Sequence, residues 1–83
     1  MVKFFLIFIN YGEVMITLKH IQDRLIEAIK HSGMSQTAIA KELGVSQQAI
    51  SSYIKGQNLP ALDTLANLCK LLDVDANYIL CLD

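Results

Sequence analysis

The sequence predicts an all-α protein of five short helices around one core, with a β-strand appended at its N-terminus. Apolar residues make up 53% of the 83-residue chain, enough for one small core but not for a second domain. From residue 18 onward they recur at the three- and four-residue spacing of a buried helical face. We therefore divide the chain into an apolar extension, residues 1–16, and a helical domain, residues 17–83.

The extension contains a dense aromatic and β-branched run, which predicts a strand that ends in a turn at Asn10–Gly12. Six residues cannot span a bilayer, which needs about 20, so we expect no membrane partner. Such a run pairs edge to edge with a second copy, and its predicted dimerisation residues are Phe4, Phe5, Leu6, Ile7, Phe8 and Ile9. Two alternatives stay open, namely packing on its own domain without dimerisation and a native start at Met15.

The first predicted helix runs from Leu18 to Ser32. Thr17 is its expected N-cap and Gly33 its C-terminal stop. Its apolar residues follow the spacing of one buried face: Leu18, Ile21, Leu25 and Ile29.

Two shorter helices follow, joined by a tight turn at Gly44, which favours a positive φ. Ser35 can cap the first of them and Ser46 the second, and Gly56 ends the second. The stretch from Met34 to Gly56 therefore has the pattern of a helix-turn-helix.

The last two helices begin after Pro60 and at Asp75, a predicted cap. The fourth helix is apolar on a broad front from Leu62 to Leu72. The predicted core draws on all but the last helix and comprises Ile21, Leu25, Ile39, Leu43, Ile50, Leu65, Leu68 and Leu72.

Catalytic and metal-binding patterns are missing from the sequence. Cys69 and Cys81 are far apart, and neither they nor His20 and His31 stand at metal-ligand spacing. No nucleophile triad or glycine-rich phosphate loop is visible, so we expect no enzyme activity, no cofactor and no small-molecule ligand. Two thiols without a disulfide framework indicate a reducing, cytoplasmic location.

The charge is nearly balanced but unevenly distributed. The net charge is −1, yet all basic residues except Lys70 precede Gly56, whereas four aspartates follow it. Because Lys and Arg supply most non-specific affinity for phosphates, we expect weak binding of a single copy to DNA, and useful binding only across two half-sites.

The start of the third helix offers short amides and hydroxyls at Gln47, Gln48, Ser51 and Ser52. A helix that buries its other face fits the major groove, where Gln can pair bidentately with adenine. These four residues are therefore the predicted base-reading residues of a helix over Ser46–Lys55.

A family resemblance is carried by SQTAIAKELGVSQQAIS and YIKGQNLPALDTLANLCKLLDV. Its landmarks occur in a fixed order: Ser35-Gln36, Ala40, Gly44, Ile50-Ser51, Gly56 and Pro60. The sequence resembles the phage repressor and Cro-like (XRE-type) helix-turn-helix family from about Leu18 to Leu80. This resemblance implies a lambda-repressor-like fold and a homodimeric transcriptional regulator of double-stranded DNA, most often a repressor that occupies a promoter.

The resemblance also implies roles for individual residues. Gln36 would contact a phosphate and brace Gln47, and the backbone around Gly56 would approach the DNA. The implied phosphate-contacting residues are Gln36, Ser46, Lys55, Gln57 and Asn58.

The chain departs from many relatives at Ile29 and Ile54, where the family carries a partly buried ion pair. Since a buried pair can be replaced by packed apolar residues at little cost, we predict that these two side chains touch.

A second function, from a different class, is an antitoxin-like or regulatory module whose main partner is another protein. The acidic balance and the apolar N-terminal run favour it, because exposed apolar surface marks interaction sites.

Overall fold

A computed structural model describes residues 15–83, which form five helices and contain no strand. The predicted strand and dimerisation run at Phe4–Ile9 lies outside the described residues. The all-helical domain is confirmed. Its helices, numbered in chain order, are α1 Leu18–His31, α2 Gln36–Leu43, α3 Gln47–Ile54, α4 Leu62–Leu72 and α5 Ala76–Ile79.

Side-chain caps begin four of the five helices, as predicted. The hydroxyl of Ser35 accepts from the Ala38 amide at 3.0 Å, and that of Ser46 accepts from the Ala49 amide at 3.1 Å. Thr17 and Asp75 cap α1 and α5 in the same way. Each cap satisfies an amide that has no partner within its helix, whereas α4 begins at Ala61 without a side-chain cap.

The turn between α2 and α3 depends on Gly44, whose φ is 71° and ψ is 30°. Left-handed backbone costs residues with a Cβ about 1–2 kcal/mol, so glycine suits this position. The turn is closed by the amide of Val45, which donates to the carbonyl of Ala40 at 3.1 Å. This local geometry sets the angle at which α3 leaves α2, and the two helices pack against each other.

The core lies where all five helices meet. Four predicted core residues are fully buried: Leu25, Ile39, Ile50 and Leu68. The other four are only partly buried and pack against this core: Ile21, Leu43, Leu65 and Leu72. The remaining buried positions are Ile29, Ala40, Tyr53, Cys69 and Ile79.

Two further expectations concern single side chains. The broad apolar front of α4 is not buried at its start, where Leu62 is exposed. Ile29 is buried and Ile54 packs against the same core, while the contact between these two side chains stays a prediction.

The C-terminal segment is attached to α1 by Ile79, which is buried, and by a group of polar side chains. We call Arg24, Glu27, Tyr78 and Asp83 the C-terminal polar cluster. The Arg24 guanidinium donates to the Tyr78 carbonyl and to the Asp83 carboxylate, each at 2.7 Å, and lies 4.6 Å from the Tyr78 ring centre. The Tyr78 hydroxyl donates to the Glu27 carboxylate.

These contacts shift two pKa values in opposite directions. The hydrogen bond from Arg24 lowers the pKa of Asp83 below its ordinary value. The hydrogen bond to Glu27 raises the pKa of Tyr78, because it holds the protonated phenol. Arg24, which from sequence alone could equally serve a phosphate or the helix surface, is thus a structural residue.

Candidate nucleic-acid interface

The two sides of α3 differ sharply in burial and in hydrogen bonding. Ile50 and Tyr53 are buried on its inner side, and Gln47 and Gln48 are exposed at its first turn. Within residues 15–83, no hydrogen bond involves the side-chain amide of Gln47 or Gln48. Both amides can therefore donate to and accept from an external group, as bidentate pairing with adenine requires.

The two serines one turn later are less exposed to solvent than the two glutamines. Ser51 and Ser52 are both half-buried, and the Ser52 hydroxyl donates to the Ala49 carbonyl at 2.8 Å. A hydroxyl has one proton and two acceptor lone pairs. While that bond is present, Ser52 can accept from a base amino group but cannot donate to a phosphate.

Two of the predicted phosphate contacts lie at the starts of helices. Ser46 is exposed and uses its oxygen to cap α3, so its hydroxyl proton remains able to reach a phosphate. Gln36 is the first residue of α2 and is half-buried. These two residues thus frame the helix-turn-helix at the entry to each of its helices.

The loop after α3 presents side chains and turns its backbone amides inward. Lys55, Gln57 and Asn58 are exposed. The amides of Gln57 and Asn58 both donate to the Ser52 carbonyl, at 2.9 and 3.4 Å. The amides of Lys55 and Gly56 also donate within the chain. The side chains of this loop are therefore open to an external group, whereas the backbone amides around Gly56 are not.

A polar side chain on α1 supports this loop. The side-chain amide of Gln22, which is half-buried, donates to the carbonyl of Gly56 at 2.9 Å. The bond joins the first half of α1 to the beginning of the loop after α3, across 34 positions of the chain. Helical periodicity carries no signal for such a contact, and sequence reasoning missed it.

The charges near α3 are few. Lys19 pairs with Asp23 at 2.8 Å, and Arg24 pairs with Asp83. Lys41, in the last turn of α2, and Lys55, at the end of α3, are exposed and form no ion pair among residues 15–83. The outer side of the helix-turn-helix therefore presents unpaired side-chain amides and little positive charge.

Three further features of residues 15–83 bear on other kinds of chemistry. In the part of the chain from Met15 to Asp83, no three potential metal-ligating side chains lie together. None of the five helices is both long and apolar enough to cross a bilayer. Both cysteines are free thiols; Cys69 is buried, and burial raises its pKa, whereas Cys81 is half-buried.

The capped α2–α3 pair, its buried inner side and the exposed amides of α3 define a helix-turn-helix protein of the DNA-binding kind. The family model described as helix-turn-helix matches residues 25–79, well over half of the chain. The chain belongs to this family, in its XRE (phage repressor and Cro-like) type, which comprises DNA-binding regulators.

Two curated relatives are named antitoxin HigA1 and come from two strains of Mycobacterium tuberculosis. Each is 34% identical to this chain over 62 residues. The similarity covers 75% of the chain and 42% of each relative, so the chain spans about two fifths of their length. No solved structure is significantly similar to the chain.

Proposed function

We propose that the protein is a sequence-specific reader of duplex DNA that regulates transcription, with Ser46–Lys55 in the major groove. The observation that carries this proposal is the state of Gln47 and Gln48. Both are exposed at the first turn of a helix whose other side is buried, and neither amide is used within the described residues. Amides in this position match the donor and acceptor pattern of adenine.

Two copies would act together on DNA. Because only Lys41 and Lys55 stand unpaired at the helix-turn-helix within residues 15–83, a single copy gains little from neutralising phosphates. A homodimer on two half-sites about 34 Å apart, one turn of DNA, doubles both the base contacts and the phosphate contacts. Such a complex in the cytoplasm would repress by occupying a promoter.

The test is selection from a random duplex DNA pool at physiological salt, followed by sequencing of the bound fraction. The proposal predicts an enriched inverted repeat with half-sites about one turn apart. A matched pair of variants sharpens the result. A Gln47→Ala, Gln48→Ala double variant should lose preference at adjacent base positions, whereas Asn67→Ala, which removes an exposed amide on α4, should select the same repeat. Absence of any enriched sequence would refute the proposal.

A second function is favoured by one specific finding, the 34% identity to proteins named antitoxin HigA1. On this alternative the main partner is a protein whose toxicity the chain neutralises, and DNA binding would regulate the amount of the pair. The relatives are more than twice as long as the matched region. The test is therefore whether the 83-residue chain alone forms a one-to-one complex with a co-purifying protein and relieves the growth arrest that this protein causes.

A further inference from the structure

An apolar groove lies on the side of the domain formed by the starts of α1 and α4 and by the C-terminal segment. Every residue that lines it is apolar. Leu62 is 84% exposed on its rim and Leu18 is 68% exposed. Single exposed leucines are normal on protein surfaces, but a continuous apolar patch marks a place where something binds. The main lining residues are Leu18, Ile21, Leu59, Leu62, Leu65 and Leu80.

The groove also explains why two of the four partly buried predicted core residues are not fully buried. Ile21 and Leu65 have the periodicity of core residues but are only partly buried, because they form the floor of this groove. Its volume is about 130 Å³. A dry apolar cavity of about 150 Å³ binds benzene, so the groove has room for about one aromatic ring, with further apolar contact along its rim.

We propose that the groove is the docking site of the apolar run Phe4–Ile9 of the same chain, with a phenylalanine ring seated in it. This run lies outside the described residues, and its composition matches the groove because it holds three phenylalanines and no charged or polar side chain. Seating it would remove two apolar surfaces from water at once, the run and the rim. The inference does not depend on the proposed DNA-binding function.

The length of the connection permits this docking. Eight residues, 10–17, separate Ile9 from Leu18, which stands on the groove itself. Residues 15–17 are already placed beside α1, and the other five span about 16 Å when extended, at about 3.3 Å per residue. The Asn10–Gly12 stretch favours the reversal in direction that the run needs to return to its own domain.

Docking on the same chain is favoured over docking on a second copy by concentration. A short connection holds the run near the groove at an effective concentration of the order of millimolar. A micromolar protein presents the run of another copy at about a thousandfold lower concentration. Pairing between copies, which the run also suggests from its sequence, becomes an alternative outcome of the test.

The test uses the full chain with p-benzoylphenylalanine placed in turn at Phe4, Phe5 and Phe8. After irradiation at micromolar concentration, at least one position should give adducts of monomer mass. Peptide mass spectrometry should locate the attachment in the segment from Leu59 to Leu65 or from Leu18 to Ile21. Adducts of dimer mass would overturn the proposal in favour of a second copy. Adducts scattered over the domain, or none with protein, would overturn it outright.

Two matched variants distinguish docking in the groove from non-specific hydrophobic contact. Leu62→Asn removes an apolar side chain from the rim, and Leu82→Asn makes the same change at an exposed leucine that does not line the groove. Since both side chains are exposed, both variants should keep the helical circular dichroism and melting of the parent. The groove adducts should fall at least several-fold in Leu62→Asn and stay unchanged in Leu82→Asn. Equal adduct yields in the two variants would contradict the proposal.

Discussion

The outer side of α3 and the C-terminal polar cluster use their polar side chains in opposite ways. In the cluster, Arg24 bonds to the Tyr78 carbonyl and to the Asp83 carboxylate, so its donors serve the fold. On α3, the amides of Gln47 and Gln48 enter no hydrogen bond within the described residues. Both regions are polar and lie at the surface, yet only the second leaves its groups available to a partner.

The difference gives a criterion for choosing a candidate binding surface in a small domain. Polarity does not distinguish the two regions, because both are polar. Charge does not identify the binding surface either, because the cluster has more charged side chains than the outer side of α3. What separates them is whether each donor and acceptor already has a partner, because an unpaired group at a surface costs nothing in water and can pair with a ligand. Four predictions test this separation, from the largest expected effect to the smallest.

The first prediction compares the inner and the outer side of α3. Ile50→Ala should lower the free energy of unfolding by about 2–5 kcal/mol, because Ile50 is fully buried on the inner side. Gln48→Ala should change it by no more than about 0.5 kcal/mol. Urea unfolding followed by circular dichroism measures both. A Gln48→Ala variant as unstable as Ile50→Ala would show that this glutamine supports the fold.

The second prediction concerns DNA affinity on the selected sequence. Gln47→Ala or Gln48→Ala should cost about 1–3 kcal/mol and relax the preference at one base position. Lys55→Ala should instead weaken binding to all sequences alike and reduce the salt slope by about 1, since an exposed lysine contacts phosphate rather than bases. Titrations at several salt concentrations, on specific and on random duplexes, distinguish the two. Equal losses on both duplexes for every variant would remove the distinction.

The third prediction breaks the C-terminal polar cluster. Arg24→Met keeps the apolar stem and removes the donors, so the amides of Leu80 and Leu82 should exchange with solvent several-fold faster while those of α3 do not change. Lys19→Met is the matched control, because Lys19 forms an exposed pair with Asp23 on the same helix and such pairs contribute little. Hydrogen exchange read by mass spectrometry or NMR checks this. Uniformly faster exchange would show that Arg24 supports the whole domain.

The fourth prediction is the pH dependence of the same cluster. The pKa of Asp83 is lower in the folded protein than the ordinary value of about 3.9. Its contribution to stability is therefore present above that pH and is lost as the pH falls through the lowered folded pKa. NMR titration of the Asp83 carboxyl should show the lowered pKa in the parent and a return toward the ordinary value in Arg24→Met. An unchanged pKa in that variant would mean that another group is responsible.

Features that depend on neighbouring residues were predictable from the sequence. Caps such as Ser35 and Ser46 act on amides three residues away, and the turn at Gly44 is decided by one backbone conformation. For these, the residue type and its place before an apolar periodic segment contain nearly all the necessary information. Five helices and their approximate bounds follow from the same local rules.

Features that depend on distant residues were not predictable. Periodicity gives the direction in which Leu62 and Ile21 point but not how far the neighbouring elements extend over them, and both line an open groove. The bond from Gln22 to Gly56 joins residues 34 positions apart. At the candidate interface, the residue types at Gln47 and Gln48 were evident from the sequence, while the inward use of the Ser52 hydroxyl required the fold.

On α3, different residues hold the helix in the fold and face the solvent at its first turn, and this affects which substitutions the protein tolerates. Ser46 starts the helix, and Ile50 and Tyr53 anchor it, so the residues that form α3 differ from the two exposed glutamines. Substitution of Gln47 and Gln48 by other polar residues should therefore change the free energy of unfolding little. If Gln47 and Gln48 read bases as proposed, two codon changes would give the protein a new set of DNA sites on an unchanged scaffold.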